Sequence, residues 1–232
     1  MKPRASTRPS LVARASRVTT VERILDFAEK EFAERGYSAT PLHRIAAGAR
    51  VNQALINYYF GSKEKLYQAV FLRRGKELTA ERLRLLDELQ ARGTPTVEEL
   101  IRAFIEPAIA MWYTGNANFL RLQARLANEP KALTRKLRAL VYDEATLRYI
   151  ESFKAALPHI EPRAIVWRIV MMIGAYLYVI SDASRLEQLS GGAAGIDLED
   201  EVVRQLTAFF TGGFKNPSLL PVRETRTRGR AA

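Results

Sequence analysis

Three helix-start signals fall between residues 40 and 62: Thr40 followed by Pro41, then Asn52, then Ser62. Each is a side chain that can accept from the open N–H groups of a first helical turn, and proline at the first helical position loses no hydrogen bond. The segments they delimit are short and must be held by neighbours, because isolated helices below about 12–15 residues are marginal in water. This spacing demands a compact unit of short helices.

The helix before them starts near Thr20. Val21, Ile24, Leu25, Ala28 and Phe32 share one face, with Glu22, Glu29, Lys30 and Glu34 outside, and Gly36 ends it. In the second helix Leu42, Ile45 and Ala46 face inward and His43 and Arg44 outward. The third, from Asn52, has Val51, Ile56 and Phe60 as anchors and leaves Gln53, Ala54, Leu55, Asn57 and Tyr58 on its free side. A recognition helix has this pattern: a few anchors hold it while its N-terminal part enters the major groove. Gln and Asn pair bidentately with adenine, and Ala and Leu touch thymine methyls. Tyr58, Tyr59 and Lys63 stand where hydroxyl, ammonium and helix-start N–H groups meet phosphates.

With those residues in place, RILDFAEKEFAERGYSATPLHRIAAGARVNQALINYYFGSKEKLYQAV, residues 23–70, resembles the DNA-binding domain of the TetR family of bacterial regulators. The resemblance implies a cytoplasmic bacterial homodimer on palindromic double-stranded DNA. It also implies a divergent helical C-terminal domain that binds a small hydrophobic effector and releases the operator. Carried over by position, Thr40 matches the phosphate-contacting N-cap of helix two, and Arg44 lies on that helix's DNA-facing side. Gln53, Ala54, Leu55 and Asn57 match the recognition positions. Tyr58 matches the phosphate-contacting aromatic, Tyr59 stands where histidine is common, and Lys63 matches the helix-four lysine. Arg50 stands where the family usually has glycine. If that turn is left-handed, a non-glycine residue costs on the order of 1 kcal/mol there.

Everything between the termini reads as helix, so the fold class is all-α: a three-helix DNA-binding domain followed by a larger helical domain. The fourth helix runs from Lys63 to about Leu89, and "RGTPT" at 92–96 breaks it. Thr96 and Glu99 make a capping box. Further helices are expected at about 97–114 with a kink at Pro107, then 117–127, 131–156, 162–187 and 198–211. The expected organisation is a basic disordered arm at 1–18, a helix-turn-helix domain at 19–66, an effector and dimerisation domain at 67–214, and a basic disordered tail at 215–232.

The net charge is +11, and most of it sits in those ends. Residues 1–18 hold Lys2, Arg4, Arg8, Arg14 and Arg17 and no acid; residues 215–232 hold Lys215, Arg223, Arg226, Arg228 and Arg230 against Glu224. Such ends suit a polyanion, DNA first. The N-terminus also has the Arg- and Ser-rich composition of a transit peptide, but a basic arm is the plainer reading. The longest uncharged apolar run, Ile169 to Ile180, is shorter than the roughly 20 residues of a membrane span and reads as a buried helix.

In the larger domain Trp112, Tyr113, Phe119, Met172 and Tyr176 are the candidate effector-cavity residues, although each taken singly reads as core. "NANFLRLQARLANEPKAL" with "PRAIVWRIVMMIGAYLYVISD" is similar to PsrA-type regulators, which implies a fatty acyl effector. Arg121, Arg125 and Arg168 are placed first at solvent or in ion pairs, and second on an acidic head group. Ile173, Gly174 and Leu177, with Val202, Leu206, Phe209 and Phe210, are the candidate dimer interface.

The sequence has no cysteine, and its two histidines, His43 and His159, lie far from each other and from any nucleophile or ligand set. No enzyme, metal or cofactor is therefore expected. The main alternative is an architectural DNA-binding protein relying on its basic ends, and the uncharged recognition helix argues against it. A membrane-surface role has only those ends behind it.

Overall fold

The computed structural model describes residues 11–217, with the side chains of 19–217 other than residue 183. Among the described residues every regular element is helical. The first helices are α1 (Leu11–Ala39), α2 (Leu42–Gly48), α3 (Gln53–Phe60) and α4 (Lys63–Ala91). Then come α5 (Val97–Met111), a π-helical turn at Trp112–Asn116, α6 (Ala117–Arg125) and a 3-10 turn at Leu126–Asn128. The chain finishes with α7 (Lys131–Val141), α8 (Asp143–Ala156), α9 (Pro162–Ser181), α10 (Ala183–Ser190) and α11 (Glu199–Lys215).

Several starts follow the expected chemistry. Asn52 Oδ1 accepts from Leu55 N at 2.8 Å and Ser62 Oγ from Lys65 N at 3.2 Å. Thr96 and Glu99 close a reciprocal capping box, at 3.2 and 2.8 Å. The Thr96 backbone N–H holds the Glu99 carboxyl below its ordinary range. Glu199, Asp200 and Glu201 occupy the first turn of α11, at the positive end of its dipole.

Other boundaries differ from expectation. α1 begins at Leu11, so residues 11–18, expected as disordered arm, continue the helix. Residues 1–10 and 218–232, which carry most of the two basic ends, lie outside the described residues. Pro107 sits inside α5 without ending it, and the backbone departs from helix at Thr114 and Gly115 instead. The expected 131–156 helix divides at Tyr142, where Thr79 Oγ1 takes the Val141 carbonyl at 2.6 Å. The expected 162–187 helix divides at Asp182.

α4 joins the two parts of the fold. Its buried stripe runs from Leu66 and Tyr67 through Phe71, Leu78 and Arg82 to Leu89, so the DNA-binding unit and the larger domain share one core. Tyr37, Tyr67, Phe71 and Phe119 form a line of ring contacts with centroids 5.1, 5.1 and 6.0 Å apart. Such pairs contribute roughly 0.5–1.5 kcal/mol each beyond their buried area. Arg73 of α4 bonds Glu29 and Asp26 of α1, at 2.9 and 2.7 Å, and Glu29, expected on the outer face, is buried by this pairing.

α1 leaves helical geometry at Gly36, with φ 81 and ψ 170. Tyr37 N there donates to Glu129 Oε1 at 2.8 Å, and a Cβ on Gly36 would lie 2.9 Å from that oxygen. The positive φ favours glycine, and a Cβ would also push the end of the Glu129 side chain away. Gly36→Ala is expected to cost about 1–3 kcal/mol, read as a lower urea midpoint with an unchanged slope.

Candidate nucleic-acid interface

The turn between α2 and α3 is built by Arg50 N→Ala47 O and Val51 N→Ala46 O, at 3.1 and 3.0 Å. Arg50 has φ 53, so the turn is left-handed where the sequence supplies arginine. At Gly48 a Cβ would lie 2.4 Å from the Phe27 ring, which sets how closely α2 approaches α1.

On this support Ile56 is buried and Val51 and Phe60 are packed against the core, as the anchor pattern requires. Gln53, Ala54, Asn57 and Tyr58 are exposed together on α3, with Leu55 and Tyr59 half-buried beside them. Tyr58 is 71% exposed, which leaves a large ring at the surface of a helix with little core of its own. The exposed set carries amides, hydroxyls and small apolar groups, a donor, acceptor and methyl-contact inventory that matches base edges.

The flanking residues are held differently from expectation. Thr40 is fully buried, and its hydroxyl donates to Gly36 O at 2.8 Å and Glu31 O at 3.1 Å. Pro41, not Thr40, is the α2 N-cap, and no side chain caps that helix. The Thr40 hydroxyl is used on the Glu31 and Gly36 carbonyls of α1, so it does not cap α2 as expected. Arg44 is exposed and pairs with Glu31 at 2.9 Å. That hydrogen bond is the main reason the Glu31 carboxyl lies below its ordinary range. Lys63 Nζ donates to Ser38 O at 3.3 Å and lies 4.8 Å above the Tyr37 ring. Burial lowers its ammonium from the usual lysine value, partly offset by Glu129.

The larger domain contains a cavity of about 240 Å³ between α4, α5 and α6 on one side and α7, α8 and α9 on the other. Of the expected effector residues Tyr176 lines it. Phe119 and Met172 are fully buried in the core. Trp112 and Tyr113 are half-buried on the π-helical turn, Trp112 beneath Arg121 and Tyr113 donating its hydroxyl to the Ile196 carbonyl. Arg168 bonds Phe214 O and Asn216 O, each at 2.6 Å, and so closes the end of α11. Arg82, Gln123 and Tyr142, which also line the cavity, went unnoticed in the sequence. The signal for Arg82 was its place on the apolar stripe of α4, between Leu78 and Leu86.

Among the expected dimer residues Leu177, Val202, Leu206 and Phe210 are buried within the protomer, Ile173 is half-buried, and Gly174 and Phe209 are exposed. α9 is long and apolar enough to cross a membrane by length and composition, and here it packs against α6, α8 and α11. No group of acidic residues and histidines among the described residues is placed to hold a metal.

Relieving the left-handed arginine is a direct test of the turn. Arg50→Gly is expected to raise the unfolding free energy by up to about 1 kcal/mol, measured by urea denaturation. An equal loss instead would mean that the arginine side chain holds the turn.

Two family models cover most of the described chain. Residues 24–70 match that of the bacterial regulatory proteins of the tetR family, and residues 102–213 match a tetracyclin repressor-like C-terminal domain. The HTH-type transcriptional repressor Rv3405c of Mycobacterium tuberculosis is 39% identical over 77 residues, 32% of this chain and 41% of that protein. NicS, an HTH-type transcriptional repressor of Pseudomonas putida, is 41% identical over 51 residues, 22% of this chain and 24% of its own. The chain thus spans under half the length of these relatives. Among solved structures, a TetR-like regulator from Rhodococcus sp. RHA1 superposes with TM-score 0.54 at 21% identity, covering 89% of this chain and 98% of that one. The fatty acid degradation regulator FadR from Bacillus halodurans superposes with TM-score 0.55 at 17% identity, covering 83% and 98%. With both family models matched in order, on a helix-turn-helix and a larger helical domain, this chain belongs to the TetR family of DNA-binding transcriptional regulators.

Proposed function

We propose that the protein is a homodimeric repressor that binds a palindromic operator in the cytoplasm and releases it when a small hydrophobic effector enters the larger domain. Fatty acyl compounds come first among the candidates, on the likeness of the C-terminal sequence to PsrA-type regulators. The observation that carries the reading is α3: eight residues, anchored by Ile56, with Gln53, Ala54, Asn57 and Tyr58 presented together. Gln53 and Asn57 read adenine edges, Ala54 and Leu55 touch thymine methyls, and Tyr58, Tyr59, Arg44 and Lys63 meet the backbone. Lys63 must leave Ser38 O to do so.

The dimer reading rests on an apolar surface. Trp167, Val170, Met171 and Tyr178 of α9 are each more than half exposed, and Phe209 of α11 is 73% exposed. Open space over Gly174 lets a partner helix approach closely. These residues replace the four buried ones in the proposed interface. A two-fold axis there presents two copies of α3 to a two-fold operator.

Gln53→Ala and Asn57→Ala are expected to erase discrimination between specific and random duplexes, at about 1–3 kcal/mol per lost base contact. Lys63→Ala is expected to weaken all duplexes alike and flatten the salt dependence. Competition binding separates the two, and equal losses on both DNAs in all three variants would contradict the assignment. Met171→Lys is expected to shift the protein towards monomer in sedimentation with its helicity kept. An unchanged dimer would move the interface elsewhere.

A further inference from the structure

The 240 Å³ cavity has an apolar wall and an unusual set of buried polar groups. Arg82 is 3% exposed, Gln123 7% and Tyr142 8%. The Arg82 guanidinium lies 3.9 Å from the centre of the Phe104 ring. Its Nε donates to Phe104 O at 2.8 Å and its Nη2 to Tyr176 Oη at 3.0 Å, both neutral acceptors. No carboxylate among the described residues lies within ion-pair distance of it. The Tyr142 hydroxyl and the Gln123 amide oxygen are buried without a hydrogen-bond partner.

Buried polar atoms without partners are few in native proteins, and a buried charge is normally paired. Here a cation, a hydroxyl donor and an amide line one cavity. Burial raises the Tyr142 phenol from its ordinary value, reinforced by Tyr176 and opposed by Arg82, so the hydroxyl keeps its proton as a donor. The amide turned over presents its NH₂ in place of its oxygen. Arg138 and Asp143, both exposed, line the same cavity and offset one another in net charge. The buried guanidinium therefore sets the sign of the site.

We propose that this cavity takes a small monoanionic carboxylate with an apolar body, its head group on Arg82 and Tyr142. The proposal rests on the reading of the larger domain as the effector domain and gives that effector a charge and an orientation. A planar carboxylate matches the guanidinium fork and its single charge. A phosphate dianion would leave a second negative charge buried and unmatched. The apolar body lies along Val170, Ile173 and Leu177, which also line an adjoining cavity of about 640 Å³. That adjoining cavity also carries Arg121, Arg125 and Arg138, and Arg82 differs from them in being buried.

The test is a thermal-shift and calorimetric comparison on the full chain, with octanoate, methyl octanoate and octylamine at about 1 mM, where weak binding already registers. Octanoate is expected to raise the melting temperature, and the ester and the amine are not. Arg82→Met is expected to abolish the difference. Tyr142→Phe removes only a partnerless hydroxyl, so it is expected to fold at least as stably as the parent and to bind octanoate at least about tenfold more weakly. Equal binding of ester or amine, unchanged octanoate affinity in Tyr142→Phe, or no binding of octanoate to the parent would overturn the proposal. Operator binding measured alongside separates this site from the regulatory reading. If octanoate binds while DNA stays bound, the site stands and release by this effector does not. If a neutral compound releases DNA without competing with octanoate, the regulatory reading stands and the carboxylate assignment fails.

Discussion

The backbone N–H of Tyr37 donates to the Glu129 carboxylate across 92 residues of chain, and this contact ties the DNA-binding unit to the larger domain beside their shared core. At Gly36 the first helix turns out of helical geometry, which leaves a backbone donor with no partner in its own helix. A carboxylate from the larger domain satisfies it. Glycine suits the positive φ there, and it leaves room for that carboxylate to sit close. From this point Thr40 ties the chain back to α1, Lys63 bonds Ser38 O, and α2 and α3 follow. α3 is then held by α2 and α4, next to a junction made from both parts of the molecule.

That junction borders the larger of the two cavities. The larger cavity is lined by Ala33 of α1 and by Arg125, whose guanidinium lies close to Gly36. The aromatic line from Tyr37 through Tyr67 and Phe71 to Phe119 is a second, apolar connection between the same parts. A packed core of this kind transmits small displacements rather than absorbing them.

Much of the DNA-binding unit was legible because short helices need explicit signals. Asn52 and Ser62 cap as their spacing implied, and the anchors Val51, Ile56 and Phe60 pack inward. The larger domain was less legible. α9 is apolar nearly all round, so its sequence does not say which face meets the protomer's own core. Leu177 turned inward while Trp167, Met171 and Tyr178 stayed exposed. Thr40 reads as a cap by type and position, but its hydroxyl turns back to the Glu31 and Gly36 carbonyls of α1 instead of forward to α2. Arg82 passes for a surface residue by composition, and only its place on the buried stripe of α4 marks it. The breaks at Tyr142 and Asp182 interrupt sequences whose helical periodicity continues, and at the first the Val141 carbonyl accepts from Thr79, far away in the chain.

The central claim is that α3, presented twice by a two-fold dimer, reads DNA sequence. Selection from a pool of random duplexes at about 150 mM salt, where exposed charges are damped, tests it most directly. The account predicts enrichment of one palindrome with two half-sites. Binding that enriches no motif and falls steeply with added salt would contradict it and leave the basic ends as the source of DNA affinity.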